Sequence, residues 1–167
     1  MKFTKPEVIG VVFSKLRPEK TKTFVDIGCG SGAVTEFFAP YVKKAYAVDS
    51  DIKAISSAKE RLKKFDNVEV IHSDGKDFLE NHTADLVFFG GTRGIEEMLD
   101  VCKAEKIVVN AARVDVAVRT AEKMKELGIF EEIVVVNVSR SYELAGGIAF
   151  KPLNPVFVVF GEISPSS

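Results

Sequence analysis

Two modes of hydrophobic patterning alternate along the chain. Short runs that are apolar at every position, such as Leu86-Val87-Phe88-Phe89 and Ile107-Val108-Val109, are separated by longer stretches whose apolar positions return every three or four residues. Continuous runs fit strands covered on both faces, as in a parallel sheet, and the spaced stretches fit helices. The pattern predicts strands near 23–28, 44–48, 68–72, 84–89 and 105–110. It predicts helices near 32–41, 51–65, 75–81, 94–103 and 114–127. Ahead of these, Thr4-x-x-Glu7 reads as a capping box opening an amphipathic helix through about Lys15, with Pro6 tolerated in its first turn.

The ending breaks the alternation. Ile133–Val138 and Val156–Phe160 are two strand patterns with no helical pattern between them. They are expected to pair antiparallel at one sheet edge, joined by the segment from Ser141 to Pro155. The fold class expected is α/β: a doubly wound, mostly parallel Rossmann-like sheet with an antiparallel C-terminal hairpin. No repeat or linker interrupts residues 1–167, so one domain is expected, with Ser164-Pro165-Ser166-Ser167 as a polar tail.

The chemistry starts at the first strand. Val25-Asp26-Ile27-Gly28-Cys29-Gly30-Ser31-Gly32 runs from an apolar strand into a glycine-dense turn, and Ala47-Val48-Asp49 ends the second strand in an acid. This is how a chain builds a pocket for a nucleoside-bearing cofactor: bare backbone approaches the ligand, and the acid accepts from ribose hydroxyls. Gly28-x-Gly30-x-x-Ala33 also satisfies the dinucleotide fingerprint, so nicotinamide competes with S-adenosylmethionine. Three features favour the methyl donor. Asp26 precedes the glycines, where an acid can meet an ammonium, and Gly32 extends the loop to Asp-x-Gly-x-Gly-x-Gly. A third strand, Val68–His72, ends at Ser73-Asp74-Gly75, beside where an adenine would lie. The chain is also short for the separate substrate domain of most nicotinamide enzymes.

Composition narrows the partners. The net charge of −1 leaves no global field for nucleic acid. There is no signal-peptide core and no bilayer-spanning run, and Cys29 and Cys102 fit no metal-ligand spacing; a reduced cytoplasmic protein without membrane or protein-bound metal is expected.

Ligands of open α/β sheets bind beyond the carboxyl ends of the strands. That rule gathers Gly28–Gly32, Asp49, Asp74-Gly75, Gly90-Gly91-Thr92-Arg93 and Asn110-Ala111-Ala112-Arg113. After the fourth strand, Phe89-Gly90-Gly91-Thr92 has neither the prolines nor the aromatic ring used by enzymes that methylate exocyclic base amines. Two glycines suit a bulky, flat ligand against the backbone. Gly91, Thr92, Arg93, Arg113, Arg140 and Lys151 form the candidate substrate set, the cations suiting an anionic substrate. His72 and His82 read as structural and solvated, Cys29 as a small filler, and no residue is singled out as catalytic.

These residues resemble the decarboxylating cobalt-precorrin-6B C(15)-methyltransferases of anaerobic cobalamin synthesis, within the class I S-adenosylmethionine-dependent methyltransferases. The resemblance covers essentially the whole chain. It rests on Thr4-Lys5-x-Glu7-Val8, Val25–Gly32, Tyr46-Ala47-Val48-Asp49, Phe89-Gly90-Gly91-Thr92 and Asn154-Pro155-Val156. It implies that Thr4, Gly28, Cys29, Gly30, Ser31, Gly32, Asp49 and Gly75 contact the methyl donor, with Asp74 nearby. It implies a cobalt-containing tetrapyrrole substrate, a homotetramer, and a separate precorrin methylase in the same pathway. Family members carry a short segment ahead of Thr4, and its absence predicts a pocket less closed on that side. The other readings weighed are a tRNA methyltransferase of the same fold, which would want a basic face, and a non-catalytic S-adenosylmethionine-binding subunit.

Overall fold

The computed structural model describes residues 3–163, so the polar-tail reading of 164–167 lies outside the described residues. Seven strands form one sheet: β1 (Thr23–Ile27), β2 (Lys44–Asp49), β3 (Val68–His72), β4 (Leu86–Phe89), β5 (Lys106–Ala111), β6 (Phe130–Val136) and, last in the chain, β9 (Val156–Glu162). Their order is β3-β2-β1-β4-β5-β9-β6. The first five strands are parallel, and β9 runs antiparallel to both its neighbours. The expected C-terminal antiparallel pair is present, with β9 inserted between β5 and β6 so that β6 holds the edge.

The helices are α1 (Pro6–Leu16), α2 (Ala33–Phe38), α3 (Ile52–Leu62), α4 (Gly75–Asn81), α5 (Ile95–Val101) and α6 (Val114–Glu126). They divide between the two faces of the sheet because alternate strand residues do. Phe24, Leu86, Phe88 and Val108 pack with Val8, Val12 and Leu16 of α1 and Phe38 of α2. Val25, Ile27, Val87 and Val109 face the other way, against Phe78 of α4, Leu99 of α5 and Met124 of α6. Leu86–Phe89 is buried at all four positions, as its unbroken apolar run requires in a sheet covered on both sides.

Two expectations are corrected. The capping box does not form: Lys5 is the N-cap of α1, no side chain caps it, and Pro6 fills the first turn. Glu7 is engaged elsewhere, accepting from Arg140 Nη1 at 2.6 Å and Nη2 at 3.0 Å. The connection from Ser139 to Pro155 is not an irregular segment. It folds into a second sheet, β7 (Ser139–Leu144) paired antiparallel with β8 (Gly147–Pro152). Ala145 and Gly146, both at positive φ, make the two-residue turn.

Gly32 shows how closely the layers meet at the first turn. It begins α2 at φ +87°, and a Cβ there would stand 2.9 Å from Leu62 Cδ1 on α3. Gly32→Ala is expected to combine backbone strain with overpacking and cost about 1–3 kcal/mol, read as a lowered urea midpoint with unchanged slope.

Candidate functional site

The parallel strands point their carboxyl ends one way, and the loops beyond them enclose a cavity of about 780 Å³. The tips are tied to one another through the backbone. Gly28 and Cys29 N–H groups donate to the Val48 carbonyl at 2.8 and 3.0 Å, Ser73 N–H to Asp49 O at 3.0 Å, and Gly90 N–H to Ile27 O at 2.8 Å. Where β1 meets β4, the approach is close enough that a Cβ on Gly28 would lie 3.0 Å from Gly91 N. Bare glycine backbone on both sides is what lets these two loops meet.

At the tips of β1 to β3 the cavity is lined by Asp26, Asp49, Asp51 and Asp74, with Lys76 beside them. Asp49 accepts Gly30 N–H at 2.9 Å through Oδ2 and Asp51 N–H at 2.9 Å through Oδ1. Each oxygen keeps a further lone pair for a ligand hydroxyl. Asp74 caps α4 by accepting from Asp77 N–H at 3.1 Å. The next residue, Gly75, has no room for a side chain, since a Cβ would lie 2.8 Å from Ile27 Cγ2. Thr4, Gly28, Cys29, Gly30, Ser31, Asp49, Asp74 and Gly75 line this cavity; Gly32 stands just behind it as the N-cap of α2.

Asp26 is the most perturbed carboxyl group. It is 1% exposed, and Thr35 Oγ1 donates to its Oδ2 at 2.7 Å while its Oδ1 has no partner. Burial, opposed by the Thr35 bonds, pushes its carboxyl up to about 7. A buried carboxylate with an open acceptor beside a cavity fits a cation. Thr35 carried no sequence signal beyond its place on the first turn of α2. Cys29 is buried and its thiol is pushed far above the thiolate range, chiefly by burial, so it is a filler and not a nucleophile. His72 Nε2 contacts the Ser50 carbonyl at 2.9 Å, a structural role.

The part of the cavity beyond β4 and β5 carries Arg93 and Arg113, with Glu97 also on its wall. Gly91, Thr92, Arg93 and Arg113 line it, and a Cβ on Gly91 would meet nothing within 4 Å, so its backbone faces open space. Arg113 is paired with Asp115 at 2.7 and 3.0 Å. Arg140 and Lys151 are not brought to this cavity. They face each other across the β7–β8 hairpin, and Arg140 is turned to Glu7. The wall over the α1 face is formed by Phe3, Lys5 and Val8, of which the sequence reading had only neighbouring Thr4. That wall stands on the side where a less closed pocket was expected. Asn110, at the tip of β5, also lines the cavity, and its Oδ1 is the second buried atom without a partner among the described residues.

Comparison with known proteins gives the family and the fold of its relatives. Residues 1–160 match the family model described as a precorrin methyltransferase domain. A protein of Archaeoglobus fulgidus named "probable cobalt-precorrin-6B C(15)-methyltransferase (decarboxylating)" is 66% identical over 161 residues, covering 96% of this chain and 98% of that one. A crystal structure of a precorrin-8W decarboxylase from Methanobacterium thermoautotrophicum superposes with a TM-score of 0.89 at 27% identity, covering 98% of this chain and 93% of that one. A precorrin-6Y C5,15-methyltransferase from Geobacter metallireducens gives 0.88 at 29% identity, covering 96% and 91%.

Asp26 makes stability depend on pH. Its carboxyl sits near 7 in the folded chain and near 4 when unfolded, so between those values only the unfolded chain has released the proton. Ligand-free protein is therefore expected to lose a few kcal/mol as pH rises from about 4 to about 7, with no further loss from this group above that. Asp26→Asn should flatten this slope and be the more stable protein at about pH 8 in urea denaturation.

Proposed function

This chain belongs to the precorrin methyltransferase family, and we propose that it methylates carbon 15 of cobalt-precorrin-6B with loss of the ring-C acetate carboxylate, as one domain of residues 1–167 in cobalamin synthesis. The observation that carries this reading is one cavity lined by the carboxyl groups Asp26, Asp49 and Asp74 at the tips of β1 to β3 and by the guanidinium groups Arg93 and Arg113 beyond β4 and β5, with Lys5, Lys76 and Glu97 also on its wall. A methyl donor that is itself a cation suits the carboxyl groups, and a flat polyacid suits the guanidinium groups. S-adenosylmethionine, when bound, supplies an electrophilic methyl group on sulfonium sulfur.

In this reading Asp26 receives the donor's ammonium, the N–H groups of the Gly28–Gly32 turn receive its carboxylate, and Asp49 receives its ribose hydroxyls. Gly75, kept bare by its contact with Ile27, lets the adenine lie against backbone. Gly90 and Gly91 let a flat macrocycle approach the tip of β4 beside the donor, and Arg93 and Arg113 hold its acid arms. Positioning of this kind is worth about 7–11 kcal/mol of barrier without a strong base, which fits a site in which no base is needed at the bridging carbon. Loss of the acetate carboxylate leaves its bonding pair in the conjugated rings, and that electron density makes the bridging carbon nucleophilic toward the methyl group. The arm carbon, left as a methylene, then takes a proton from water to become a methyl group while the bridging carbon gives up its own hydrogen to water as a proton. The cobalt belongs to the substrate, so no protein ligand set is invoked. The reading keeps the enzyme in the cytoplasm, working beside a separate precorrin methylase.

Self-association has a surface to act through. The β7–β8 hairpin exposes Ile148 (76%) and Phe150 (66%) on one face and Tyr142 (46%) and Leu144 (57%) on the other. Each face of the hairpin carries exposed apolar side chains beside its polar ones, and both strands are almost wholly exposed, which supports a homotetramer built through this element. Ile148→Glu with Phe150→Glu should dissociate the assembly, seen as a fall in mass by light scattering.

Mass spectrometry of cobalt-precorrin-6B after incubation with the protein and S-adenosylmethionine tests the reaction. A product that has gained one methyl and lost one carbon dioxide is expected, and unaltered substrate beside demonstrated donor binding would refute it. Arg93→Ala and Arg113→Ala should each raise the KM for the tetrapyrrole by about tenfold while leaving the donor's Kd unchanged.

A further inference from the structure

Asp26 and Asn110 carry the two buried side-chain oxygens without partners among the described residues, and both line the same cavity. They also lie on the same face of the sheet. Asp26 is in register with Phe88 on β4, and Phe88 with Val108 on β5, and Asn110 is two residues beyond Val108. Two strand spacings sideways and two residues along place their Cα atoms roughly 12 Å apart. No single ammonium serves both. Asp26 stands with Asp49 at the tips of β1 and β2; Asn110 stands across β4, with Val156 on its face of the sheet.

We infer that Asn110 positions the acetate arm that is lost, offering it a neutral hydrogen-bond donor, while the cations Arg93 and Arg113 serve the arms that are kept. This rests on the tetrapyrrole reading above. Asn110 is only partly buried while its Oδ1 is buried without a protein donor, and no hydrogen bond among the described residues occupies its NH₂ group, so the amide is free to donate into the cavity. The chemistry needs such a group. When the arm decarboxylates, the C–C bond breaks, its electron pair passes into the conjugated rings, and carbon dioxide leaves uncharged. A guanidinium on that carboxylate would stabilise the charged starting state and lose its contact as the charge moves away, which raises the barrier. A carboxamide orients the carboxylate without a countercharge, and the apolar Phe88 and Val156 on its face of the sheet solvate the anion poorly. One cavity thus sorts acid arms by the charge of the residue each one meets.

The test uses Asn110→Asp, which is nearly isosteric, and Asn110→Ala. Three quantities are read for each: the Kd of S-adenosylmethionine, the Kd of cobalt-precorrin-6B with S-adenosylhomocysteine bound, and turnover followed by product mass. Donor affinity is expected to stay within about twofold of wild type, which also reports correct folding. Tetrapyrrole affinity and kcat should fall roughly 10- to 100-fold, more in Asn110→Asp, where carboxylate faces carboxylate. The Asn110→Asp defect should shrink as pH falls and the new acid protonates, which a packing role would not produce. Unchanged tetrapyrrole affinity and turnover in both variants would overturn the inference. A tenfold loss of donor affinity would also overturn it, by giving Asn110 to the donor. Wild-type protein that binds the donor yet leaves the tetrapyrrole unaltered would instead refute the functional reading, so the two failures are distinct.

Discussion

The adjacency of β1 and β4 is the constraint from which the cavity follows. The chain builds β1, β2 and β3 outward in one direction, then returns past β1 to lay down β4 and β5 on its other side. Helices leaving the two strands at this reversal diverge to opposite faces, α2 to one and α5 to the other. A crevice opens between them at the carboxyl end of the sheet. The two loops bordering it come within the reach of a single Cβ, because Gly28 and Gly91 have none. Every residue proposed to meet donor or substrate is on a strand tip facing this crevice or on the segment that covers it.

Local sequence carried most of this. A run apolar at every position can only be a strand buried on both faces at this length, and Leu86–Phe89 is that strand. The order strand, glycine turn, helix, strand, acid placed Gly28–Gly32 and Asp49 together without any long-range knowledge, because parallel neighbours put their tips side by side. Of the four candidate cations, two reach the cavity for the same reason. Arg93 and Arg113 follow strand ends directly, whereas Arg140 and Lys151 are in a segment whose pairing depended on a turn that was not recognised. Ala145-Gly146 between two alternating segments was the signal for that hairpin.

What local sequence did not carry was competition between partners far apart. Thr4-x-x-Glu7 has the form of a capping box, yet a charged guanidinium outcompetes a backbone N–H for the Glu7 carboxylate. Arg140 offers two parallel charge-assisted bonds from 133 residues away and holds Glu7 below the usual carboxylate range. The placement of β9 between β5 and β6 is likewise non-local: either order would satisfy the apolar patterns of both strands.

That long-range pair bears on how the cavity is covered. Phe3, Lys5 and Val8 wall the α1 face of the site, directly over the side on which Asp26 and Asn110 project. The wall is fastened to late parts of the chain, through Glu7 to Arg140 on β7 and through Lys5 Nζ to the Asn154 carbonyl at 3.4 Å, just before β9. A buried carboxylate such as Asp26 lowers the stability of the fold when charged, and the same desolvation strengthens its attraction for a cation that enters. The covering segment is therefore what makes the site electrostatically strong. Because its fastenings reach the exposed hairpin, whatever packs on that hairpin also bears on how firmly the part of the cavity around Asp26 is kept from water.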